Sequence, residues 1–233
     1  LIFGNLLTSS NYDDDQKKTT GGRNGYGAKL TNIFSKEFIV ETGALLYLFC
    51  VFFFAKHCSI ADSRSGQKYT QRFTENMTVR HEPKITTGKD DYTKITFCPD
   101  LPRFGMTHID EDLEALLRKR VYDMAGILRD VKVYLNDVRI NLKSFKSYVE
   151  LYVKNPLTTV FHEINNDRWE ICITASEGQF TQVSFVNSIC TYKGGTHVTH
   201  VVDQVVSSIG EFVNKKSKEK DAIKPFQIKS HLW

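Results

Sequence analysis

The segment TGGRNGYGAKLTNIF, residues 20–34, joins four glycines and a lysine to the start of a helix-like apolar pattern. One apolar helix face is predicted by the i, i+4, i+7 and i+8 spacing of Tyr26, Leu30, Ile33 and Phe34. Free N–H groups and the positive dipole end at a helix start attract anions, and Lys29 lies near the first turn. The segment therefore predicts a phosphate site, and glycines used only for tight turns remain the alternative.

Two common phosphate-binding motifs do not fit this segment. The P-loop pattern GxxxxGK[ST] fails because Ala28 separates Gly27 from Lys29. The dinucleotide fingerprint GxGxxG fails because Leu30 stands where the third glycine is needed, and no buried strand precedes it. Residues 11–20 have the polar composition of a surface loop. A loop that ends on a glycine-rich helix start is a candidate lid over a nucleotide.

The bulk composition is that of a soluble globular protein. The chain has 233 residues, of which 41% are hydrophobic and 25% charged, with a net charge of +4. This length allows one large or two small domains, and the mild basicity is compatible with an anionic partner. The five cysteines are scattered without CxxC spacing, which favours a reducing compartment over a disulfide framework or structural zinc.

Long stretches of the chain resemble the eukaryotic type IIA DNA topoisomerases, which belong to the GHKL ATPase superfamily. The resemblance is carried by LLTSSNYDDDQKKTTGGRNGYGAKLTNIFS (6–35), DYTKITFCPDL (91–101), NDRWEICITASEGQFTQVSFVNSI (166–189) and KGGTHVTHVVDQVV (193–206). The sequence is most similar to that of the plant members of this family. The resemblance implies an α+β chain, with the C-terminal part of a GHKL (Bergerat) α/β sandwich in residues 1–142. The first part of a ribosomal-protein-like transducer domain follows in residues 143–233.

The same resemblance implies an ATP site and its cofactors, ATP and Mg²⁺. The residues that it assigns to ATP are Ser9, Ser10, Asn11, Gly22, Arg23, Asn24, Gly25, Tyr26, Gly27, Ala28 and Lys29, with Lys29 facing phosphate. In the family, the catalytic glutamate and the magnesium-holding asparagine lie upstream of the lid. A second lysine loop, which touches the γ-phosphate, lies further downstream. We therefore expect no catalytic residue and no metal ligand within this chain.

A lysine-rich segment near the C-terminus is the second predicted site. Asn214, Lys215, Lys216 and Lys218 close a helix-like run, and in the family the matching loop faces the cavity that receives DNA. A solvated basic helix end is the alternative. The resemblance implies double-stranded DNA as a partner, a homodimer, no membrane and a nuclear location. Two rivals remain: a chaperone or mismatch-repair ATPase, and a truncated product that binds DNA or subunits without turnover.

Residues 43–60 interrupt the resemblance. They contain twelve consecutive apolar residues, 44–55, too few for the roughly 20 that span a bilayer. We interpret the segment as a foreign insert at the tip of an edge hairpin. An interfacial anchor and a genuine hairpin insertion are the alternatives.

Periodicity predicts the remaining elements. Strands are expected at 37–42, 92–97, 160–165, 168–175 and 181–189, with a hairpin turn at Asn136-Asp137. Helix faces are expected at Ile109, Leu113, Leu116, Leu117 and Met124, at Phe145, Tyr148, Val149 and Tyr152, and at Val198, Val201, Val202, Val205, Ile209 and Phe212. Trp169 and residues 184–189 are expected in the core. We interpret Gly194-Gly195 before His197 as a tight turn rather than part of a catalytic site.

Overall fold

The computed structural model describes residues 2–9, 11–13, 15, 21–43, 66–88, 92–128, 131–153, 161–165, 168–216 and 222–233. The chain divides into two compact units, Leu1–Asn141 and Leu142–Trp233. No helix in the described part of the chain is long and apolar enough to cross a membrane.

The first unit is built on an antiparallel sheet. Its central strand β1 (Ser35–Gly43) lies between β2 (Gln67–Thr74) and β5 (Tyr92–Pro99), and β3 (Val79–Arg80) and β4 (Lys84–Thr87) pair with the other edge of β2. Alternate residues of β1, Phe38 and Val40, are buried against Phe73 of β2, as the period of a half-buried strand requires. The predicted strands at 37–42 and 92–97 are confirmed.

Strands β1 and β2, which flank the proposed insert, are both interior strands of the sheet. The two strands pair in antiparallel register up to Thr42 and Tyr69, but β5 covers the other side of β1 and β3 and β4 cover β2. The predicted position at an edge hairpin is therefore wrong. Of the proposed insert, residues 44–60 lie outside the described residues.

Helix α1 (Gly27–Ile33) leads into β1, and its predicted apolar face is confirmed only in part, because Ile33 and Phe34 are half-buried. Tyr26 and Leu30 are 41% and 45% exposed, whereas Lys29 and Asn32 are 2% and 0% exposed. The polar side is buried because both side chains donate hydrogen bonds to backbone carbonyls of the N-terminal segment. Buried polar groups that find such partners avoid most of the desolvation cost.

Helix α2 (Glu111–Ile127) begins as its sequence predicts. The Asp110 carboxylate caps it by accepting from the Leu113 N–H at 2.8 Å, and three acids follow in the first turn. The predicted apolar face is confirmed in part: Leu113, Leu117 and Met124 are half-buried, but Leu116 is 62% exposed and Ile109 precedes the helix. Val121, which the prediction did not include, is buried and packs with Met124.

Val121 of α2 packs against a confirmed hairpin. Strands β6 (Tyr134–Leu135) and β7 (Val138–Arg139) flank Asn136 and Asp137, whose φ values of 50° and 64° fit the tight turn that suits twisted strands. The core here comprises Val121, Val133 and Leu135.

The second unit combines short hairpins with a long helix. Its elements are α3 (Phe145–Val149), β8 (Phe161–Asn165), β9 (Trp169–Ile173), β10 (Phe185–Val186), β11 (Ile189–Cys190), α4 (Thr196–Lys216) and α5 (Pro225–Lys229). β8 pairs with β9 and β10 with β11, both antiparallel. Val202 and Val206 of α4 are buried with Ile228 of α5.

Three predictions for this unit need correction. The run 181–189 is not one strand, because Asn187 and Ser188 take φ values of 49° and 67° and turn the chain between β10 and β11. Trp169, Val186 and Ile189 are 38%, 43% and 49% exposed, so they are not core. The α4 face is buried only in its first half, since Ile209 and Phe212 are 37% and 59% exposed.

Candidate functional site

Lys29 is the centre of the site predicted around the glycine-rich segment. Its Nζ donates to the carbonyl oxygen of Gly25 at 2.7 Å and to that of Thr8 at 3.2 Å. Among the described residues, no carboxylate forms an ion pair with it, although the side chain is 2% exposed. Buried charges in proteins are ordinarily paired with an opposite charge. Lys29 is thus a buried cation with carbonyl partners but, within the described part of the chain, no anion.

The segment before the lid is held by side-chain donors. Asn32 Nδ2 donates to the Phe3 carbonyl at 3.2 Å, and the Thr8 hydroxyl donates to the Asn5 carbonyl at 3.0 Å. Arg80 Nη2 donates to the Gly4 carbonyl at 2.6 Å. Together with the hydrogen bond from Lys29 to the Thr8 carbonyl, four carbonyls of this segment therefore accept from side chains. Sequence patterns missed these bonds because the donors Asn32 and Arg80 lie far away in the chain.

Ser9 and Asn11 form hydrogen bonds at the edge of the predicted lid. The Asn11 N–H donates to Ser9 Oγ at 3.1 Å, and Asn11 Nδ2 donates to the Gly22 carbonyl at 3.0 Å. Asn11 thereby bridges the two ends of the predicted loop. Ser10 lies outside the described residues.

The glycines of the segment have different structural roles. Gly25 has φ +65°, and a Cβ there would lie 3.1 Å from Lys29 Nζ and 3.2 Å from the Thr8 carbonyl oxygen. Gly22 has φ +88°, but a Cβ on Gly22 or Gly27 would meet nothing within 4 Å. Gly25 is thus required by the fold around Lys29, whereas the backbone at Gly22 and Gly27 is open to a ligand.

The other predicted ATP residues line the same segment. Arg23, Asn24 and Tyr26 are exposed, and Ala28 is half-buried. Because α1 has only seven residues, its dipole is small, and the side chains of Arg23 and Lys29 supply the formal positive charge. Direct contact of these residues with ATP stays a prediction.

Two buried polar atoms near this site or on its sheet were not predicted from the sequence. Asn32 Oδ1 and Thr93 Oγ1 have no hydrogen-bond partner among the described residues, and both side chains are 0% exposed. Each unmade bond costs about 1–3 kcal/mol. Asn32 lies three residues after Lys29 on α1. For Thr93 the sequence did carry a signal of burial, because this threonine lies on the same side of β5 as Ile95 and Phe97.

Three of the four predicted DNA-contacting residues lie at the end of α4. Lys215 and Lys216 are exposed in its last turn, and Lys216 Nζ lies 4.3 Å from the centre of the Phe212 ring. Asn214 Oδ1 instead accepts from the Ile223 N–H at 2.8 Å, which ties the helix end to the next segment. Lys218 lies outside the described residues.

Among its described residues, the other chemically reactive groups of the second unit do not form a site. His197 Nε2 lies 3.1 Å from Thr191 Oγ1 and 3.4 Å from Ser184 Oγ, and it forms no ion pair with an acid among the described residues. Burial, aided by the charge of Glu170, raises the pKa of Cys172 to about 11, so it is a thiol at neutral pH. No group of three His, Cys, Asp or Glu residues in the described ranges is placed to hold a metal ion.

Comparison with known proteins gives a consistent family. A family model described as DNA gyrase B matches residues 144–233. The chain is 54% identical over 237 residues to a Dictyostelium discoideum protein named probable DNA topoisomerase 2, covering 100% of this chain and 14% of that protein. Its identity to DNA topoisomerase 2 of Arabidopsis thaliana is 50% over 244 residues, covering 100% of this chain and 15% of that protein.

A solved structure shows the same architecture. The ATPase region of Saccharomyces cerevisiae topoisomerase II is similar with a TM-score of 0.84 and 49% identity, covering 100% of this chain and 55% of that one. This likeness confirms the predicted α+β fold of a GHKL ATPase and transducer region. The chain spans 14% of the Dictyostelium relative and 55% of the yeast ATPase-region structure.

Proposed function

This chain belongs to the eukaryotic DNA topoisomerase II family as a part of its ATPase region, and on that premise we propose that it supplies the ATP lid and transducer start of an ATP-dependent type II enzyme. Such an enzyme passes one DNA duplex through a transient break in another.

The observation that carries the proposal is the buried ammonium of Lys29. It is 2% exposed, and within the described part of the chain it donates only to the carbonyls of Gly25 and Thr8. A triphosphate is the kind of anion that would complete its charge balance. The open backbone at Gly22 and Gly27 also fits a polar ligand.

In this proposal, a few residues of the glycine-rich segment bind phosphate and hold the lid. Lys29 neutralises phosphate charge, and the glycine-rich backbone at Gly22 and Gly27 lets the phosphates approach closely. Asn11 holds the two ends of the lid together through the Gly22 carbonyl. ATP bound there supplies the phosphoanhydride whose binding drives closure, and Mg²⁺ is expected with it. We assign no magnesium ligand to this chain.

Duplex DNA is the proposed partner of the second unit. Lys215 and Lys216 supply two exposed positive charges at the end of α4, suited to phosphates in a salt-sensitive, sequence-independent way. A homodimer and a nuclear location are part of the same proposal, and they follow from the family alone.

The test is equilibrium binding of a non-hydrolysable ATP analogue to the chain and to two variants. Lys29→Ala should lower affinity roughly ten- to a hundredfold, the equivalent of one charge-assisted hydrogen bond. Lys36→Ala removes an equal charge from an exposed site that faces Asp100 at 3.9 Å, and it should leave affinity unchanged. Equal affinities for Lys29→Ala and the parent chain would refute the proposed ATP site.

A further inference from the structure

We propose that Arg80 is the positioning residue for Lys29: it fixes the backbone of residues 4–8 so that the Thr8 carbonyl receives the Lys29 ammonium. The relevance to nucleotide binding rests on the proposed function, whereas the positioning itself is a property of the fold.

Arg80 grips the N-terminal segment at two points. Its Nη2 donates to the Gly4 carbonyl at 2.6 Å and to Asn5 Oδ1 at 3.1 Å. Hydrogen bonds from a charged donor are about twice as strong as neutral ones. The guanidinium also lies 5.7 Å over the ring of Phe73, which is 2% exposed in the sheet core. The anchor is thus braced by a side chain that cannot move without disturbing the core.

Gly4 leaves the space that the Arg80 guanidinium occupies. It is buried, and a Cβ there would lie 2.5 Å from Arg80 Nη2 and 3.0 Å from the Phe73 ring. No side chain fits between the backbone and the guanidinium. The close approach of Arg80 to this carbonyl therefore requires glycine at position 4.

A short series of hydrogen bonds connects Arg80 to Lys29. Thr8 Oγ1 donates to the carbonyl of Asn5, the residue whose side chain Arg80 holds. The carbonyl of Thr8 then accepts from Lys29. At its other end the segment is held by Asn32, whose Nδ2 donates to the Phe3 carbonyl. Loss of Arg80 removes the grip between these two attachments, which lets the Thr8 carbonyl move away from Lys29.

Arg72 is a matched control on the adjacent strand. It has the same charge, its side chain is 52% exposed, and it pairs with Glu37 rather than with the N-terminal segment. Replacing either arginine by alanine removes one exposed guanidinium, but only one of the two variants releases the segment.

The decisive measurement is the acylation rate of Lys29 by an amine-reactive reagent, followed by mass spectrometry with Lys36 as an internal reference. Lys29 should react slowly in the parent chain and about ten- to a hundredfold faster in Arg80→Ala, because one charge-assisted anchor is removed. Arg80→Lys, which keeps one donor, should be intermediate, and Arg72→Ala should match the parent. Gly4→Ala displaces the guanidinium without removing it and should also accelerate the reaction.

Binding of the ATP analogue separates the inference from the proposed function. If Lys29 stays protected in both Arg80→Ala and Gly4→Ala while circular dichroism shows intact folds, the positioning role is wrong, whatever the nucleotide affinity. If Lys29 becomes reactive, the positioning role holds, and affinity should fall about tenfold in the same variants. A parent chain that binds no ATP analogue would overturn the proposed function alone, since the acylation result is independent of nucleotide.

Discussion

The ammonium of Lys29 lies 2.7 Å from the carbonyl oxygen of Gly25, four residues earlier in the chain. Gly25 takes φ +65°, and a Cβ at this position would lie 3.1 Å from Lys29 Nζ. The glycine and the lysine of the motif therefore form one structural unit. The lysine is held in place before any ligand arrives, which limits the entropy lost on binding.

Gly25→Ala is predicted to destabilise the first unit by about 1–2 kcal/mol, since a left-handed φ is costly for a residue with a Cβ. Gly27→Ala is the control, because its Cβ meets nothing within 4 Å and alanine favours helix. Urea unfolding of both variants measures the difference. Equal stability of the two would contradict the role assigned to Gly25. Lower ATP affinity in a stable Gly27→Ala chain would indicate that phosphate approaches the backbone there.

Lys215→Ala together with Lys216→Ala is predicted to weaken duplex DNA binding and to lower the log–log salt slope by about 0.9 for each phosphate that the variant no longer neutralises. The residues are exposed at the end of α4. A double alanine variant of Lys193 and Lys229, which are exposed elsewhere in the second unit, removes the same charge. Fluorescence anisotropy over a salt series makes the comparison. Identical slopes for both double variants would mean that the α4 lysines are only a solvated helix end.

Glu41→Gln is predicted to lower stability at neutral pH by about 1–2 kcal/mol. Glu41 receives Lys68 at 3.2 Å and Lys94 at 3.1 Å from the two neighbouring strands. Burial raises the pKa of Glu41, but the hydrogen bonds and charges of Lys94 and Lys68 outweigh it and lower the pKa from 4.5. A lowered folded pKa gives stability that is present above the unfolded pKa and lost as pH falls through the folded one.

The pH dependence provides the check on Glu41. Urea unfolding at pH 7 and near pH 3 should show the gap between Glu41→Gln and the parent shrinking in acid. Glu37→Gln is a control, because its carboxylate is 38% exposed and pairs with Arg72; its effect should stay within about 0.5 kcal/mol. A gap for Glu41→Gln that persists unchanged in acid would show that the ion pairs are not its cause.

Deletion of residues 44–60 is predicted to raise solubility and to preserve the pairing of Thr42 with Tyr69. The reason is the run of twelve apolar residues, 44–55, together with the weak dependence of chain-closure entropy on loop length. Sedimentation and circular dichroism of the deleted and parent chains measure the two effects. Unfolding on deletion would show that the segment is core and not foreign.

Local patterns predicted the elements whose signals are local. The alternation in residues 37–42 predicted β1 because one face of a strand is buried, and Asn136-Asp137 predicted its hairpin because both residues tolerate positive φ. The same logic failed at residues 181–189, where alternation hid the turn at Asn187 and Ser188. Apolar character alone does not reveal that Trp169 stays 38% exposed.

By itself, the sequence determined the family and strands β1 and β5 of the sheet, and it predicted Lys29 as the cation of the glycine-rich segment. Only the tertiary structure decided that Lys29 is buried and that α1 turns its polar side inward. The physical reason is that hydrophobic periodicity reports side-chain polarity, whereas burial of a charge depends on which carbonyls surround it. One of those carbonyls belongs to Thr8, 21 residues away, and its segment is held through Gly4 by Arg80, which is 76 residues from that glycine. No local pattern encodes interactions at that separation.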